Sequence, residues 1–357
     1  MKVPADREAQ QIGLILRAWG VPTEQATATA TVLLEADLRG IESHGIALLP
    51  LYDEFRRQGK LTVAPEIRVV RESPVTALID GGGGLGQFPS VTAMRLAIEK
   101  CAAAGVGAVA VRNSNHYGAA GVYASMAAER GCIGLSTSSV YRPAIVPTFG
   151  TDPMFGTNPF AFAAPAGRNR PFVLDMATST AAIGKLKLAA GKGQPIPEGW
   201  ALDTAGRPLT DPGLALKEAR LTPLGATRIM GGHKGYGLAA MVEILSTMLS
   251  GAFYAPTRER RHPGAERYNV GHFFLALDPK TFRDPGEFET DVDDMIDALH
   301  AARPADPGQA GLVAGDPEAE NRDRRSREGI PVPDHVVAAV RAIAEACNVP
   351  FVLEAEA

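Results

Sequence analysis

Residues 106–129 read VGAVAVRNSNHYGAAGVYASMAAE, and this stretch decides the fold class. Val106 to Val111 form a short apolar run with three valines, bounded by Arg112 and Asn113, which predicts a buried strand over 106–112. The Ala-rich run that follows predicts a helix over 119–130. Between them, Asn113-Ser114-Asn115-His116-Tyr117-Gly118-Ala119-Ala120-Gly121 carries the chain out of the strand and into the helix. Ligands of α/β sheets collect at such carboxyl ends of strands, and a new helix offers unpaired N–H groups to an anion. The plain alternative is a polar strand-to-helix turn with asparagine as a cap.

Outward from this unit the same alternation recurs. Short apolar runs predict further strands at 67–71, 76–80, 132–138, 159–164, 171–175 and 271–278, and Ala-rich or periodic runs predict helices at 89–104, 180–190 and 234–250. That alternation marks an α/β class. The first sixty residues differ: apolar residues at helical spacing, through Ile12, Leu14, Ile15 and Trp19 and again through Ala30, Val32, Leu33 and Leu38, predict two helices closed by Gly20 and Gly40. A third, over 46–57, is kinked at Pro50 or begins there. Residues 284–315 are acidic and rich in Pro and Gly, as expected of surface helix and loop. A last helix over 334–347 is expected to start at Asp334 as N-cap.

Composition excludes several classes of function. The chain has 357 residues, 45% hydrophobic and 21% charged, enough for a sizeable core and for two domains. A formal charge of −4 with scattered Lys and Arg argues against nucleic acid as a partner. Cys101, Cys132 and Cys347 fall in no metal-binding or disulfide pattern. No apolar stretch approaches the roughly 20 residues that span a bilayer. The amino terminus lacks a signal-peptide pattern, so a cytoplasmic location is expected.

Five segments invite a chemical reading. Gly81-Gly82-Gly83-Gly84-Leu85-Gly86 satisfies the dinucleotide fingerprint after a strand and before a helix, and Arg112 stands where a 2′-phosphate reader would. Yet the acidic ribose ligand expected about 20 residues on is missing, and any glycine run matches that template. A flexible turn is the competing reading. In Arg39-Gly40-Ile41-Glu42-Ser43-His44-Gly45 an imidazole sits beside glycines, suited to passing a proton at neutral pH, with Ser43 placed to orient it or bond the substrate. A capping serine beside a surface histidine reads equally well. Residues 113–121 supply His116. Asp175-Met176-Ala177-Thr178-Ser179 ends a strand, and Gly232-His233-Lys234-Gly235-Tyr236-Gly237 opens a helix whose lysine and N–H groups suit a pyrophosphate. Each of the last two also reads as an ordinary cap. His262, His272, His300 and His335 are isolated in sequence and read as structural or exposed. No metal site is expected, since neither a zincin motif nor a carboxylate cluster of ligand spacing occurs.

Taken in order, residues 37–45, residues 113–121, Phe155-Gly156-Thr157-Asn158-Pro159, Asp175 with Met176, Ala177, Thr178 and Ser179, residues 233–237 and Gly271-His272-Phe273-Phe274 resemble the malate/L-lactate/L-sulfolactate dehydrogenase family. The resemblance covers nearly the whole chain. It implies a non-Rossmann NAD(P)-binding α/β domain with a mixed sheet, spanning 73–304, plus a mainly helical domain built from both termini, 1–72 with 305–357. The glycine run is then a false fingerprint. The resemblance further implies a homodimer using NAD or NADP. His44 resembles the proton donor or acceptor of some members and His116 that of others. His116, Tyr117, Gly118, Ala119, Ala120, Asp175, Met176, Ala177, Thr178, His233, Lys234, Gly315 and Asp316 are implied to line the cofactor.

The chemistry implied is hydride transfer between NAD(P)H and a small 2-oxo or 2-hydroxy acid. It needs a proton for the carbonyl oxygen, from His44 or His116, and a hold on the carboxylate. Ser43 and Asp175 are candidates to set the histidine tautomer. Many relatives place an arginine four residues after the first histidine, but Leu48 stands here, and Leu51 offers no substitute. A bidentate clamp is therefore lost. Arg142, in the Ser-rich loop after the 132–138 strand, and Lys185 are the candidate replacements, with Ser43, Leu48 and Thr157 also expected at the substrate. Reduction of a cyclic or N-alkyl imino acid, and a non-catalytic binding role on the same fold, are the alternatives.

Overall fold

The computed structural model describes residues 1–218 and 220–354. Strand β1 (Lys2–Val3) leads into α1 (Ala5–Ala18) and α2 (Thr23–Leu38). Ile12, Ile15 and Leu16 share one face of α1 and are wholly buried there. Two short 3₁₀ turns, Glu42–His44 and Ile46–Leu48, connect to α3 (Leu49–Arg57). Pro50 lies in the first turn of α3, where its missing N–H has no helical partner to lose, so it starts the helix rather than kinking it.

The chain then builds its main sheet from β2 (Arg68–Glu72), β3 (Thr76–Asp80), β4 (Val106–Ser114), β5 (Ile133–Ser138), β6 (Phe160–Ala164), β7 (Phe172–Met176) and β10 (Val270–Leu277). Helices α4 (Gln87–Ala104) and α5 (Ala120–Ala128) lie between these strands in sequence. A further segment holds α6 (Ile183–Gly191), the two-residue strands β8 (Ala201–Leu202) and β9 (Pro208–Leu209), and α7 (Pro212–Glu218). Next come α8 (Gly232–Glu243), prolonged by a π turn over Ile244–Met248, and the short α9 (Arg258–Arg261). After β10 follow α10 (Glu287–His300), α11 (Asp316–Glu328), β11 (Ile330–Pro331) and α12 (Asp334–Ala346).

Strand order in the sheet is β2-β3-β4-β10-β5-β6-β7. Only β3 and β4 run parallel, with Thr76 opposite Ala108, and the other five pairs are antiparallel. The late strand β10 slots between β4 and β5, setting Phe274 between Val109 and Ser136. Phe274 and Ala276 are completely buried there. The Ala-rich sequence of α5 has a packing cause. A Cβ on Gly134 of β5 would lie 2.4 Å from the Ala124 carbonyl, so helix and strand approach at a distance only small residues permit.

Two large apolar clusters result. One joins Ile12, Leu33, Leu49, Tyr52 and Phe55 to Ile330, Val336 and Val340, tying both ends of the chain together. The other gathers Ile79, Met94, Val109, Tyr117, Tyr123 and Phe274 between sheet and helices. Several expectations need correction. Strand β2 pairs with β3, so the sheet begins inside the segment 1–72 assigned to the helical unit. Val313 packs with Val292 and Ile296 of α10, so the segment from 305 onward also reaches the α/β part. Asp334 makes no capping bond, because Pro333 is the N-cap. Helix α11 escaped the sequence pattern because DPEAENRDRRSRE has almost no apolar face, and it buries only Arg325.

Candidate active site

The first histidine rides on the turn between α2 and α3. Asp37, near the end of α2, accepts the Ile46 N–H on its Oδ2 at 2.6 Å. Its carboxyl lies flat against Gly45, where a Cβ would fall 1.8 Å from the same oxygen. Burial pushes Asp37 upward, and Glu8, wholly buried beside it, is pushed well up by burial and by the Asp37 charge. Arg325 of α11 donates to the Asp37 carbonyl at 2.7 Å and to Glu42 Oε1 at 2.5 Å. The turn is thus gripped from both sides. Ser43 Oγ lies 2.7 Å from His44 Nδ1.

The second histidine follows β4. The glycine run packs directly behind this loop: Asn115 Nδ2 donates to the Gly83 and Gly84 carbonyls at 3.1 Å, and the Gly86 N–H donates to the His116 carbonyl at 3.1 Å. A Cβ at Gly84 would meet Pro65 at 2.3 Å, and at Gly86 the Asn115 carbonyl at 2.4 Å. The run is therefore filled by protein, and its glycines serve close backbone packing. Arg112 is likewise occupied, by Asp80 at 3.3 Å.

These two loops bring the imidazoles of His44 and His116 together, stacked with centroids 5.4 Å apart and planes 28° apart. Both rings are half-buried. Burial lowers His44 to about 4, and burial with the neighbouring His44 and His272 lowers His116 to about 3. His116 Nδ1 lies 3.1 Å from the Tyr52 hydroxyl and 3.3 Å from the Gly118 N. Tyr52 in turn takes a 2.7 Å bond from Gln87 Nε2. Neither His44 Nε2 nor His116 Nε2 has a hydrogen-bond partner among the described residues.

A cavity of about 470 Å³ is lined by Ile41, three residues before His44, and by Gly121, five residues after His116, but by neither imidazole. Its walls are apolar at Val122, Val173, Leu174 and Val313, and Arg39, Arg170 and Arg322 line it together with Glu129, Asp175 and Glu318; Arg39 and Arg322 pair with Glu35, and Arg170 with Asp323. Two helix starts face it: Gly121, in the first turn of α5, and Gly315, the left-handed N-cap of α11. Asp175 Oδ2 accepts the Gly121 N–H at 2.7 Å, and burial raises this carboxyl to about 6. Volume, apolar walls, three arginines and the α11 N-terminus at Gly315 together suit a dinucleotide.

The remaining expected residues are dispersed. Tyr117 is buried, stacked on His272 at 4.6 Å and bonded to Ser136, so its ring belongs to the core. Ala119 and Ala120 are buried at the α5 start. Met176 ends β7 and Ala177 follows, while Thr178 is buried and donates to the Thr157 and Asn158 carbonyls at 3.1 Å. His233 bonds Arg228 at 3.0 Å, and Lys234 is exposed on the first turn of α8. Asp316 turns away to His300 at 2.7 Å and to the Val313 N–H. Leu48 is buried in the helical core. Arg142 is exposed on its loop, and Lys185 lies 5.9 Å above the Trp200 ring. Asp175 bonds Gly121 rather than either histidine, which corrects its expected part in setting a tautomer. Tyr52 and Gln87 were not singled out from sequence. Their one signal is that Tyr52 lies four residues past Leu48, the position inspected for an arginine.

Fold and site together define a two-histidine centre on a mixed sheet, with a cavity lined by residues of the same two loops. The family described as malate/L-lactate dehydrogenase matches residues 3–341. A malate dehydrogenase of Pyrococcus horikoshii is 41% identical, over 98% of this chain and 96% of its own length. An L-sulfolactate dehydrogenase of Methanothermobacter thermautotrophicus is 39% identical over 98% of each chain. The solved malate dehydrogenase of Entamoeba histolytica superposes with a TM-score of 0.93 at 32% identity, covering 98% of this chain and 99% of that one. The chain belongs to the malate/L-lactate dehydrogenase family of NAD(P)-dependent oxidoreductases acting on CH–OH groups.

Proposed function

We propose that this chain interconverts a small 2-hydroxy acid and its 2-oxo acid, with NAD or NADP held in the cavity edged by Arg39 and Arg322. The observation that carries this reading is the stacked imidazole pair, 5.4 Å apart, on two loops whose Ile41 and Gly121 also line that cavity. The cofactor, when bound, supplies or accepts the hydride. Asp175, which caps the α5 N-terminus through Gly121, and Gly315 would hold it. The mostly antiparallel sheet and the protein-filled glycine run support a non-Rossmann mode of binding. His44 and His116 serve the oxygen of the reacting carbon, one of them moving its proton.

The carboxylate of the acid has no arginine at position 48 to meet it. A Cβ added at Gly184, in the first turn of α6, would fall 3.6 Å from the Ser43 Cβ, so this turn passes close to Ser43. That contact favours Lys185, on the same turn, over Arg142 as the cation that replaces the clamp. A homodimer belongs to the same reading, supported by the exposed apolar side chains Ile244, Met248 and Leu249 at the end of α8 and Ile229 and Met230 before its start. So does a cytoplasmic location, since among the described residues no helix is long and apolar enough to cross a membrane.

Relatives at 39–41% identity are malate and L-sulfolactate dehydrogenases, so imine reduction is not favoured. The test is a panel of 2-oxo acids, including oxaloacetate, pyruvate and sulfopyruvate, assayed with NADH and with NADPH. Oxidation of one cofactor by at least one acid is expected. Binding of cofactor without turnover on any acid would point to the non-catalytic reading instead.

A further inference from the structure

We infer that the two histidines have separate tasks: His116 is a fixed hydrogen-bond donor, locked in its Nε2–H tautomer by Gly118 and Tyr52, and His44 alone moves the proton. This rests on the reading of the site as one that reduces a carbonyl. The geometry behind it does not.

The Gly118 backbone N–H points at His116 Nδ1 across 3.3 Å. A backbone amide can only donate, so Nδ1 accepts and the ring hydrogen of the neutral imidazole resides on Nε2. Tyr52 adds a second donor to the same atom at 3.1 Å. Its oxygen already accepts from Gln87 Nε2 at 2.7 Å, which directs the hydroxyl hydrogen toward Nδ1. Tyr52 and Gln87 are wholly buried, so water does not compete for these bonds. Every hydrogen bond at Nδ1 therefore runs inward. A proton there would face one N–H and one O–H, and the imidazolium form of His116 has no acceptor to sustain it.

His44 has the opposite surroundings. Its Nδ1 meets only the Ser43 hydroxyl, 2.7 Å away, a group that accepts as readily as it donates. An imidazolium at His44 can thus give its Nδ1 proton to Ser43 as a hydrogen bond while Nε2 serves the substrate. Burial lowers His44 as well as His116, but a carboxylate-bearing substrate beside His44 acts in the other direction. During reduction the electron pair arrives at the carbonyl carbon as hydride, and the carbon–oxygen π bond breaks toward oxygen. The proton then passes from His44 Nε2 to that oxygen, leaving a neutral ring. His116 Nε2–H keeps its hydrogen throughout and bonds the oxygen while its negative charge develops. Oxidation reverses each step. Tyr52 and Gln87 are positioning residues, since they act on the reaction only through His116.

The test combines spectroscopy with kinetics. Imidazole nitrogen spectra of the uniformly ¹⁵N-labelled full chain, between pH 5 and 8, identify the His116 signal by its loss in His116→Gln. Expected is a neutral ring with hydrogen on Nε2 and no titration over that range. A hydrogen on Nδ1, or a midpoint within the range, overturns the inference. No substrate is needed, so this readout is independent of the proposed function, which falls separately if the wild-type chain turns over no acid in the panel. Kinetically, His116→Gln retains an amide donor that cannot titrate. It should lose about 10-fold in kcat, less than the roughly 10²–10³ that removal of such a donor brings, and keep the wild-type pH profile. His44→Gln should lose roughly 10²–10⁴-fold. The reverse ranking overturns the assignment. Tyr52→Phe keeps the ring and removes the hydroxyl; it should lower kcat with cofactor KM unchanged and bring His116 closer to titration. A Tyr52→Phe chain with wild-type pH profile and ¹⁵N spectrum would remove Tyr52 from the role.

Discussion

Replacing Gly45 by alanine should disable the enzyme without touching either imidazole. Gly45 has φ −98° and ψ −142°, outside the β and α regions that residues with a Cβ favour, so alanine would meet backbone strain as well as a lack of space. The added methyl would fall 1.8 Å from Asp37 Oδ2, 1.9 Å from its Cγ and 2.2 Å from Oδ1. Tolerable contact begins near 3.0 Å, so the turn or the carboxyl must retreat by at least about 1.2 Å. If the carboxyl moves, its 2.6 Å bond to the Ile46 N–H is lost, a charged hydrogen bond contributing about 1.5–3 kcal/mol. If the turn moves instead, His44 moves with it, and a misplacement near 1 Å costs roughly 10²-fold in rate. The assay pairs kcat with urea unfolding on the same preparation. Expected is either an unfolding midpoint lowered in line with that loss, or normal stability with turnover down about 10²-fold. Wild-type turnover at wild-type stability would refute the contact between Asp37 and the histidine turn.

Three further outcomes are expected. His272 is fully buried, bonded to Ser138 and Ser114 and lowered by burial to about 3, below its ordinary value in the unfolded chain. Its contribution to stability is whole above pH 6.5 and is lost as pH falls toward 3. Between pH 7 and 4 it should amount to about 3 kcal/mol, so urea midpoints of His272→Gln should fall less over that interval than those of the wild type. Asp175→Ala removes the carboxylate from the α5 N-terminus; it should cost about 1 kcal/mol of stability and weaken NADH or NADPH binding, read by fluorescence titration, and an unchanged titration would free Asp175 from the cofactor site. Lys185→Met should raise KM for the acid with cofactor KM unchanged, whereas Arg142→Met should leave both alone; the opposite result would move the carboxylate contact to the loop after β5.

The α/β class, the strand and helix order through residues 67–130 and the two histidine-bearing loops were all legible in sequence. They rest on local properties: β-branched runs, Ala-rich helices and glycines beside chemically capable side chains. Family resemblance added what pattern alone did not carry, namely that the glycine run is no phosphate loop. Only the tertiary structure decided how distant segments combine. The placement of β10 between β4 and β5 joins residues 106–114 to 270–277, and no local signal encodes such a partner. The same holds for the meeting of His44 with His116, and for Tyr52 and Gln87, whose side chains look like ordinary core until the fold aims them at one ring nitrogen. Residue types determine which chemistry is available. Which nitrogen receives a hydrogen bond depends on angles and distances between segments, and those exist only once the chain has packed.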